Sequence, residues 1–193
     1  GEYISTFITG ANEEEFRLLY KSFECYTRFF PDERERISPE DIEQIIHKRR
    51  NAERTNDPWR DVYAVLHAGE EVIGMAYFPV HLAYPWAFGS FFGIIKGYRN
   101  LSRADKFLEA IIERVRITNP KVKAIIFEID PIDFNILGQA LSDLNCINID
   151  GQLLSTLKAI RRLLFFQHSC HARVVLGSDG RPLPYWVPLG DEI

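Results

Sequence analysis

Two spacings of hydrophobic residues alternate along this chain, and the changeovers mark its elements. "YISTFI", residues 3–8, is rich in β-branched and aromatic residues and predicts a first strand. Phe16, Leu19, Phe23 and Phe30 then recur at helical spacing. Asn12 precedes them as an N-cap, with Glu15 three residues on in capping-box position. After "PDERER", Ser38, Pro39 and Asp41 open a second helix that runs to about Arg50. Residues 51–60 are polar and predict a loop. "DVYAVLHA" (61–68) and "EVIGMAYFPVHL" (71–82) predict two strands joined by a tight turn containing Gly69, with Pro79 marking a bulge or an edge. "WAFGSFFGII" (86–95) predicts a third, longer strand. Phe107, Leu108, Ile111, Ile112 and Val115 line one face of the helix that follows. "VKAIIFEI" (122–129) predicts a strand buried on both faces. Asp130-Pro131 starts another helix, with Phe134, Leu137, Leu141 and Leu144 as its stripe. Beyond it the pattern predicts a helix over 151–166, a strand over 172–176 and an extended ending at "LPYWVPL".

The order is β-α-α-β-β-β-α-β-α and then the tail. One strand–helix–strand unit sits inside a mostly antiparallel sheet, which makes an α+β mixture rather than a doubly wound α/β sheet. At 193 residues and 46% hydrophobic, the chain suits a single domain spanning 1–193. A net charge of −4 with mixed signs defines no basic face, so nucleic acid is not an expected partner. The longest apolar run, "AYPWAFGSFFGII" (83–95), is too short to cross a bilayer and holds a proline, so no membrane partner is expected. Cys25, Cys146 and Cys170 are odd in number and form no CxxC, the pattern of thiols in a reducing, cytoplasmic setting. No secretory leader is legible, and with Gly1 in place of Met the natural start is expected to lie upstream.

The candidate chemistry concentrates in "GIIKGYRNLSRADKFLEAIIERV", residues 93–115. A strand ends at Ile95, a short basic loop follows, and Ser102 with Asp105 three residues later reads as the start of a helix. A helix's first turn carries unpaired N–H groups and about half a positive charge, so it stabilises an anion. Arg99 and Arg103 flank that turn. Taken by itself, the stretch is equally an ordinary capped helix with solvated arginines. Elsewhere, "HSCH" (His168, Cys170, His171) has metal-ligand types at a spacing that fits no common zinc pattern, and no metal is expected. "HKRR" (47–50) reads as a basic last helical turn that complements the dipole. There is no GxGxxG, phosphate-binding Walker loop or GxSxG.

With its flanking elements, the stretch resembles the GCN5-related N-acetyltransferase (GNAT) superfamily. Members carry an Arg/Gln-x-x-Gly-x-Gly/Ala loop between the fourth strand and third helix, which cradles the pyrophosphate of acetyl-CoA. The matching residues are Arg99, Asn100, Leu101, Ser102, Arg103 and Ala104, after the aromatic Tyr98. "NILG", from Asn135, matches an Asn-x-x-Ala element further on, and "FFPDERERIS", "FEID" and "PYWVPL" resemble a bacterial branch. The likeness covers roughly residues 3–145 and the final segment. It implies a GNAT-like sheet of six to seven strands with helices on both faces, and acetyl-CoA as co-substrate. The backbone from Phe92 through Ile94 and Ile95 would hold pantetheine, and Asn135 would touch the cofactor. The partner implied is a small-molecule or peptide amine; "IRRLL" (160–164) is an amphipathic pattern that suits the sheet or a second copy of the chain.

The chain departs from the family at three places. Ser102 replaces the first loop glycine, Asp105 stands where a small or hydroxyl residue is frequent, and Ser142 occupies the position of the usual tyrosine acid. The implied activity is direct acetyl transfer to an amine. The alternative is a non-catalytic module of that fold that binds CoA weakly or not at all and works through protein interaction or regulation. For the general base, Glu128 is the one carboxylate in the apolar "IIFEID", where desolvation raises a pKa, unless it faces solvent or pairs with an arginine. His81 and Tyr77, four apart on one strand face, come second, and Tyr185 in the tail is the candidate acid.

Overall fold

The computed structural model describes residues 2–31, 36–50, 56–127, 164–168, 173–176, 178 and 182–188. Contacts divide the chain into two compact units, Gly1–Lys123 and Ala124–Ile193.

The first unit holds β1 (Ile4–Phe7), α1 (Glu13–Phe29), α2 (Pro39–Arg50), β2 (Trp59–Ala68), β3 (Glu71–His81), β4 (Trp86–Gly89), β5 (Phe91–Ile94) and α3 (Leu101–Thr118). β1 pairs with β2, β2 with β3, and both β4 and β5 with β3, all antiparallel. The β2–β3 turn uses Gly69 at φ 59°, a conformation glycine adopts without steric cost. β2 starts two residues earlier than the polar pattern of 51–60 implies.

The predicted strand 86–95 is split. Ala87 lies opposite Val80, but Phe91 lies opposite Tyr77, so this side has gained one residue between the two pairs. That is a β-bulge, and it divides the strand at Ser90. Its cause is legible in β3. Tyr77 O accepts from Ser90 N–H (3.1 Å), so residues of its parity point their amides at this neighbour. Pro79 has that parity and no N–H to give, so the ladder is interrupted where the extra residue enters. The expected irregularity is real, but β3 stays in register at Pro79↔Asp61 and the neighbouring strand bulges instead.

Pleating sends alternate residues to opposite faces. Tyr63, Val65, Met75 and Tyr77 pack with Leu19, Phe23 and Tyr26 of α1 and with Ile42 and Ile46 of α2 in one core. The other face takes α3, whose Phe107, Leu108, Ile111 and Val115 are buried, with Phe107 stacked on Phe92 at 5.5 Å. Each such side chain contributes about 1.5–3 kcal/mol by leaving water. Helices therefore cover both faces, as the α+β reading expects.

The first two helix starts follow their sequence signals. Asn12 Oδ1 accepts from Glu15 N–H (2.9 Å), and the Glu15 carboxylate reaches back to the N–H groups of Thr9 and Gly10. Ser38 Oγ accepts from Asp41 N–H (3.0 Å) and donates to the Asp41 carboxylate.

The second unit contains β6 (Ala124–Phe127), β7 (Arg173–Leu176) and β8 (Pro182–Pro188), with β8 antiparallel to both of the others. Residues 164–168 are helical and Phe166 stacks on Phe127 at 4.3 Å. The division of 86–95 brings the described strands to eight, one more than the pattern predicts. Glu128, Asn135, Ser142, Cys170 and His171 lie outside the described residues, as do the predicted helix from 130 and most of that over 151–166.

Candidate functional site

The site forms where β5 hands the chain to α3. β5 lies on β3 with Gly74 opposite Ile94, and Ile95 N–H closes the ladder on Ile73 O at 2.8 Å. A side chain at Gly74 would meet Gly93 O at 2.8 Å, so the close approach of these strands needs glycine there. Ile95 N–H points at β3, and by alternation the amides of Phe92 and Ile94 point away from it. Phe92 and Ile94 place their side chains on the α3 face, while Ile95 packs into the core with α1. Of these three predicted residues, backbone rather than side chain is what a ligand beside β5 would meet.

A single 3-10 turn, Lys96–Tyr98, leads to Arg99. Arg99 is exposed, and its Nε donates to Ile94 O (2.6 Å), which ties the guanidinium to the strand end. Asn100 is the N-cap of α3, extended at φ −142° and ψ 157°, and its Oδ1 accepts from Arg103 N–H (2.7 Å). This corrects the sequence reading. Ser102 is not the cap but the second helical residue, and Asp105 lies a turn in and closes no capping box. Arg103 donates to Tyr98 O and sits 3.9 Å over the Tyr3 ring. The Tyr98 hydroxyl donates to the Glu71 carboxylate, which raises the phenol above its ordinary pKa.

What remains open is the first turn of α3. The amides of Leu101 and Ser102 precede any intrahelical acceptor, the helix dipole adds positive potential, and Ser102 is exposed. Ala104 N–H is already given to Asn100 O (3.1 Å). Two open amides and the exposed Arg99 are donors of the kind an anion takes, while Arg103 is engaged with Tyr98 O and the Tyr3 ring. One feature runs against it. Asp105 Oδ1 is shut off from solvent and lacks a hydrogen-bond donor.

On the opposite face, beside the bulge, rings enclose the middle of β5. Phe91 packs edge-on to Tyr26 (4.8 Å) and Phe30 (5.0 Å), and the Phe29 ring lies on Gly93. The Tyr26 hydroxyl accepts from Ile37 N–H (3.0 Å), anchoring the chain as it enters α2.

The second-choice bases are placed by the same pleat. Tyr77 is buried and donates to Asp61 (3.3 Å); burial, and after it the Asp61 charge, pushes its pKa up. His81 lies between the rings of Trp59 (4.8 Å) and Tyr84 (4.5 Å), with Nδ1 accepting from Ala83 N–H. Tyr185 has its backbone in β8 opposite Phe127. His168 is exposed, and among the described residues no group of three ligands suits a metal.

A charged network went unforeseen. Arg49 Nε donates to Asp61 (2.9 Å) and its terminal nitrogen to Asp57, with Lys48 at 3.5 Å from Asp57. The "HKRR" turn is thus more than a dipole complement. His47 stacks on Phe16 at 4.9 Å, and Arg49 clamps the entry to β2. The available signal was Asp57 and Asp61 bracketing the start of a strand.

The chain matches no family model and no curated protein. Solved structures do match. A GNAT-family acetyltransferase from Staphylococcus aureus Mu50 superposes with a TM-score of 0.56 at 16% identity, covering 98% of this chain and 100% of that one. The aminoglycoside 6'-N-acetyltransferase from Enterococcus faecium gives 0.56 at 10% identity, over 97% and 99% of the two chains. The ribosomal-protein-S18-alanine N-acetyltransferase from Escherichia coli gives 0.52 at 11% identity, over 100% and 99%. With that agreement over 97–100% of its length, the chain has the fold of the GNAT acetyltransferases.

Proposed function

We propose that the protein is an acetyl-CoA-dependent N-acetyltransferase acting on a small-molecule or peptide amine. The observation that carries this reading is the junction at Ile94–Arg103. It puts the unpaired amides of a helix N-terminus and the Arg99 guanidinium beside a strand end, on a fold whose solved examples transfer acetyl groups. Arg99 and the Leu101 and Ser102 amides would hold the pyrophosphate, and the outward amides of Phe92 and Ile94 would meet pantetheine and the thioester oxygen. Acetyl-CoA supplies the acyl group. The amine nitrogen bonds the thioester carbon, the carbon–sulfur bond breaks, and the thiol leaves as CoA. The amine must first lose a proton, the role proposed for Glu128, and the thiolate must gain one, proposed for Tyr185.

The test is a thermal-shift titration with acetyl-CoA. A ligand at about a hundred times its Kd adds ~2.7 kcal/mol of stability. Arg99→Gln should weaken the response while lowering the unliganded Tm by only about 2–4 °C through the lost bond to Ile94 O, and no shift at saturating acetyl-CoA would refute the reading. Thiol release across an amine panel then tests turnover, which Glu128→Gln should slow without loss of CoA binding. Asp105 Oδ1, buried without a donor near the anion seat, favours a second reading: a CoA-fold module whose site no longer turns over. Binding without thiol release from any amine is its signature.

A further inference from the structure

β1 is short, and its shortness leaves a pocket. Its last pair with β2 is Phe7↔Ala64, followed by one hydrogen bond from Ile8 N–H to Tyr63 O (2.9 Å), after which the chain turns away toward α1. β2 continues back to Trp59 without that neighbour. Because Tyr63 O faces β1, alternation turns the Asp61 N–H and C=O to the same open side. There lies a pocket of about 360 Å³, lined by Phe7, Ile46, Val62, Arg60, Asp61 and Arg114 among others.

Among the described residues, the charges in and beside this pocket do not balance. Lys48 and Arg49 answer Asp57 and Asp61, and the Asp61 side chain is only 4% exposed within that cluster. Arg60 and Arg114 are additional. Arg60 donates only to backbone, to Asp57 O (2.6 Å) and Trp59 O (2.8 Å). Arg114 lies 4.7 Å over the Phe7 ring. Among the described residues, neither has a carboxylate at ion-pair distance. Two half-buried guanidiniums around one cavity, with apolar walls between them, form a forked donor set suited to carboxylate or phosphate.

We infer that this pocket binds a small organic oxyanion, a carboxylate or phosphate ester, between Arg60 and Arg114 with its apolar part against Phe7 and Val62. The site is separate from the anion seat at Arg99. It lies against the last turns of α3, whereas the seat is at that helix's first turn.

Inorganic phosphate and malonate serve as probes in isothermal titration calorimetry at low salt. Saturable binding with a Kd on the order of 1 mM is expected for at least one of them. Arg60→Gln and Arg114→Gln should each weaken it roughly tenfold, through loss of a charge-assisted donor. Arg114→Lys should keep part of the affinity, and urea midpoints verify that each variant folds. Preference for phosphate assigns a phosphate ester and preference for malonate assigns a carboxylate; either supports the site. The donors at Arg99 also attract phosphate, so the titrations are repeated in Arg99→Gln, where binding in the pocket should persist; Arg60→Gln should leave the acetyl-CoA thermal shift intact, so this site and the acetyl-CoA reading fail or stand separately. Absence of saturable heat with both probes, retention of binding when Arg60→Gln and Arg114→Gln are added to Arg99→Gln, or loss of all binding in Arg99→Gln alone would each overturn the inference.

Discussion

Replacing Arg49 with methionine tests the electrostatic account of how β2 is anchored. The substitution keeps an unbranched side chain in place and removes the cation. Asp61, 4% exposed at its side chain, then keeps only the long hydrogen bond from Tyr77 at 3.3 Å. Breaking a buried pair by removing one partner costs roughly 3–5 kcal/mol, and the surviving hydrogen bond places this case near 3. With an m-value of about 2 kcal/mol/M, the urea midpoint should fall by about 1.5 M. The pH dependence carries a definite sign. Burial raises Asp61 above the ordinary carboxylate range despite Arg49, so its ionisation costs stability as pH climbs from that range through its native pKa. Losing Arg49 pushes the native pKa higher and widens that window. Asp57 is depressed, first by the Trp59 N–H and then by the Arg49 charge, so it contributes stability above the carboxylate range that is lost on acidification. Both groups make the deficit of Arg49→Met largest at neutral pH and smaller towards ~pH 4. Adding Asp61→Asn should recover most of the loss. A neutral-pH loss under ~1 kcal/mol, the value of an exposed pair, or a deficit that grows on acidification, would refute the reasoning.

Asn100→Ala should cost about 1 kcal/mol in urea unfolding through the lost N-cap on Arg103, with Asn100→Ser nearly neutral; equal losses in both would discount the cap. In Gly93→Ala the new carbon would stand 2.6 Å from two Phe29 ring carbons, so destabilisation of roughly 1–3 kcal/mol is expected. Much of it should vanish in a Phe29→Leu background, and an undiminished loss there would point to the backbone instead. Burial pushes the Cys25 thiol up to about 11, which leaves roughly one thiolate in a thousand at pH 8. Peptide mapping after iodoacetamide should find Cys25 unlabelled in the native protein and labelled in urea; rapid native labelling would contradict its burial.

Features specified by neighbouring residues were legible in the sequence. The capping boxes at Asn12/Glu15 and Ser38/Asp41 formed because both partners lie within one turn. The start of α3 was misplaced by two residues because Ser102/Asp105 and Asn100 offer competing local caps; the extended backbone at Asn100 decides it. The break in 86–95 was legible only as Pro79, on a different strand from the bulge it accompanies, since register belongs to pairs of strands and not to either one. The Arg49–Asp61 pair spans twelve residues and two elements, and no periodicity reports it. At the candidate site the sequence pattern gave the strand–loop–helix order but not the direction of the loop's side chains. The Arg99 bond to Ile94 O and the Arg103 bond to Tyr98 O depend on how the 3-10 turn folds back.

These placements give α3 two different ends to serve. Its eighteen residues span about 27 Å, well beyond a Debye length at physiological salt. At the first turn, open amides and Arg99 make up the proposed anion seat. At the last, Asn119 ends the helix by bonding Val115 O with its N–H, and its side chain donates to His81 O (3.1 Å) and Tyr84 O (3.3 Å), holding the β3–β4 turn. Arg114, one turn before that end, points its charge over Phe7 toward the pocket beside β2. The buried stripe from Phe107 to Val115 fixes the helix on the sheet between the two ends. Screening removes direct charge coupling over that length, so any influence of one anion on the other must pass through movement of the helix itself. A helix seated on fully buried Ile111 and Val115 resists such movement. Phosphate competes at the first turn itself, but the part of its effect on the acetyl-CoA Kd that Arg114→Gln removes should stay within about twofold, a coupling below ~0.5 kcal/mol. A larger change, abolished by Arg114→Gln, would show that α3 shifts on the sheet when the pocket fills.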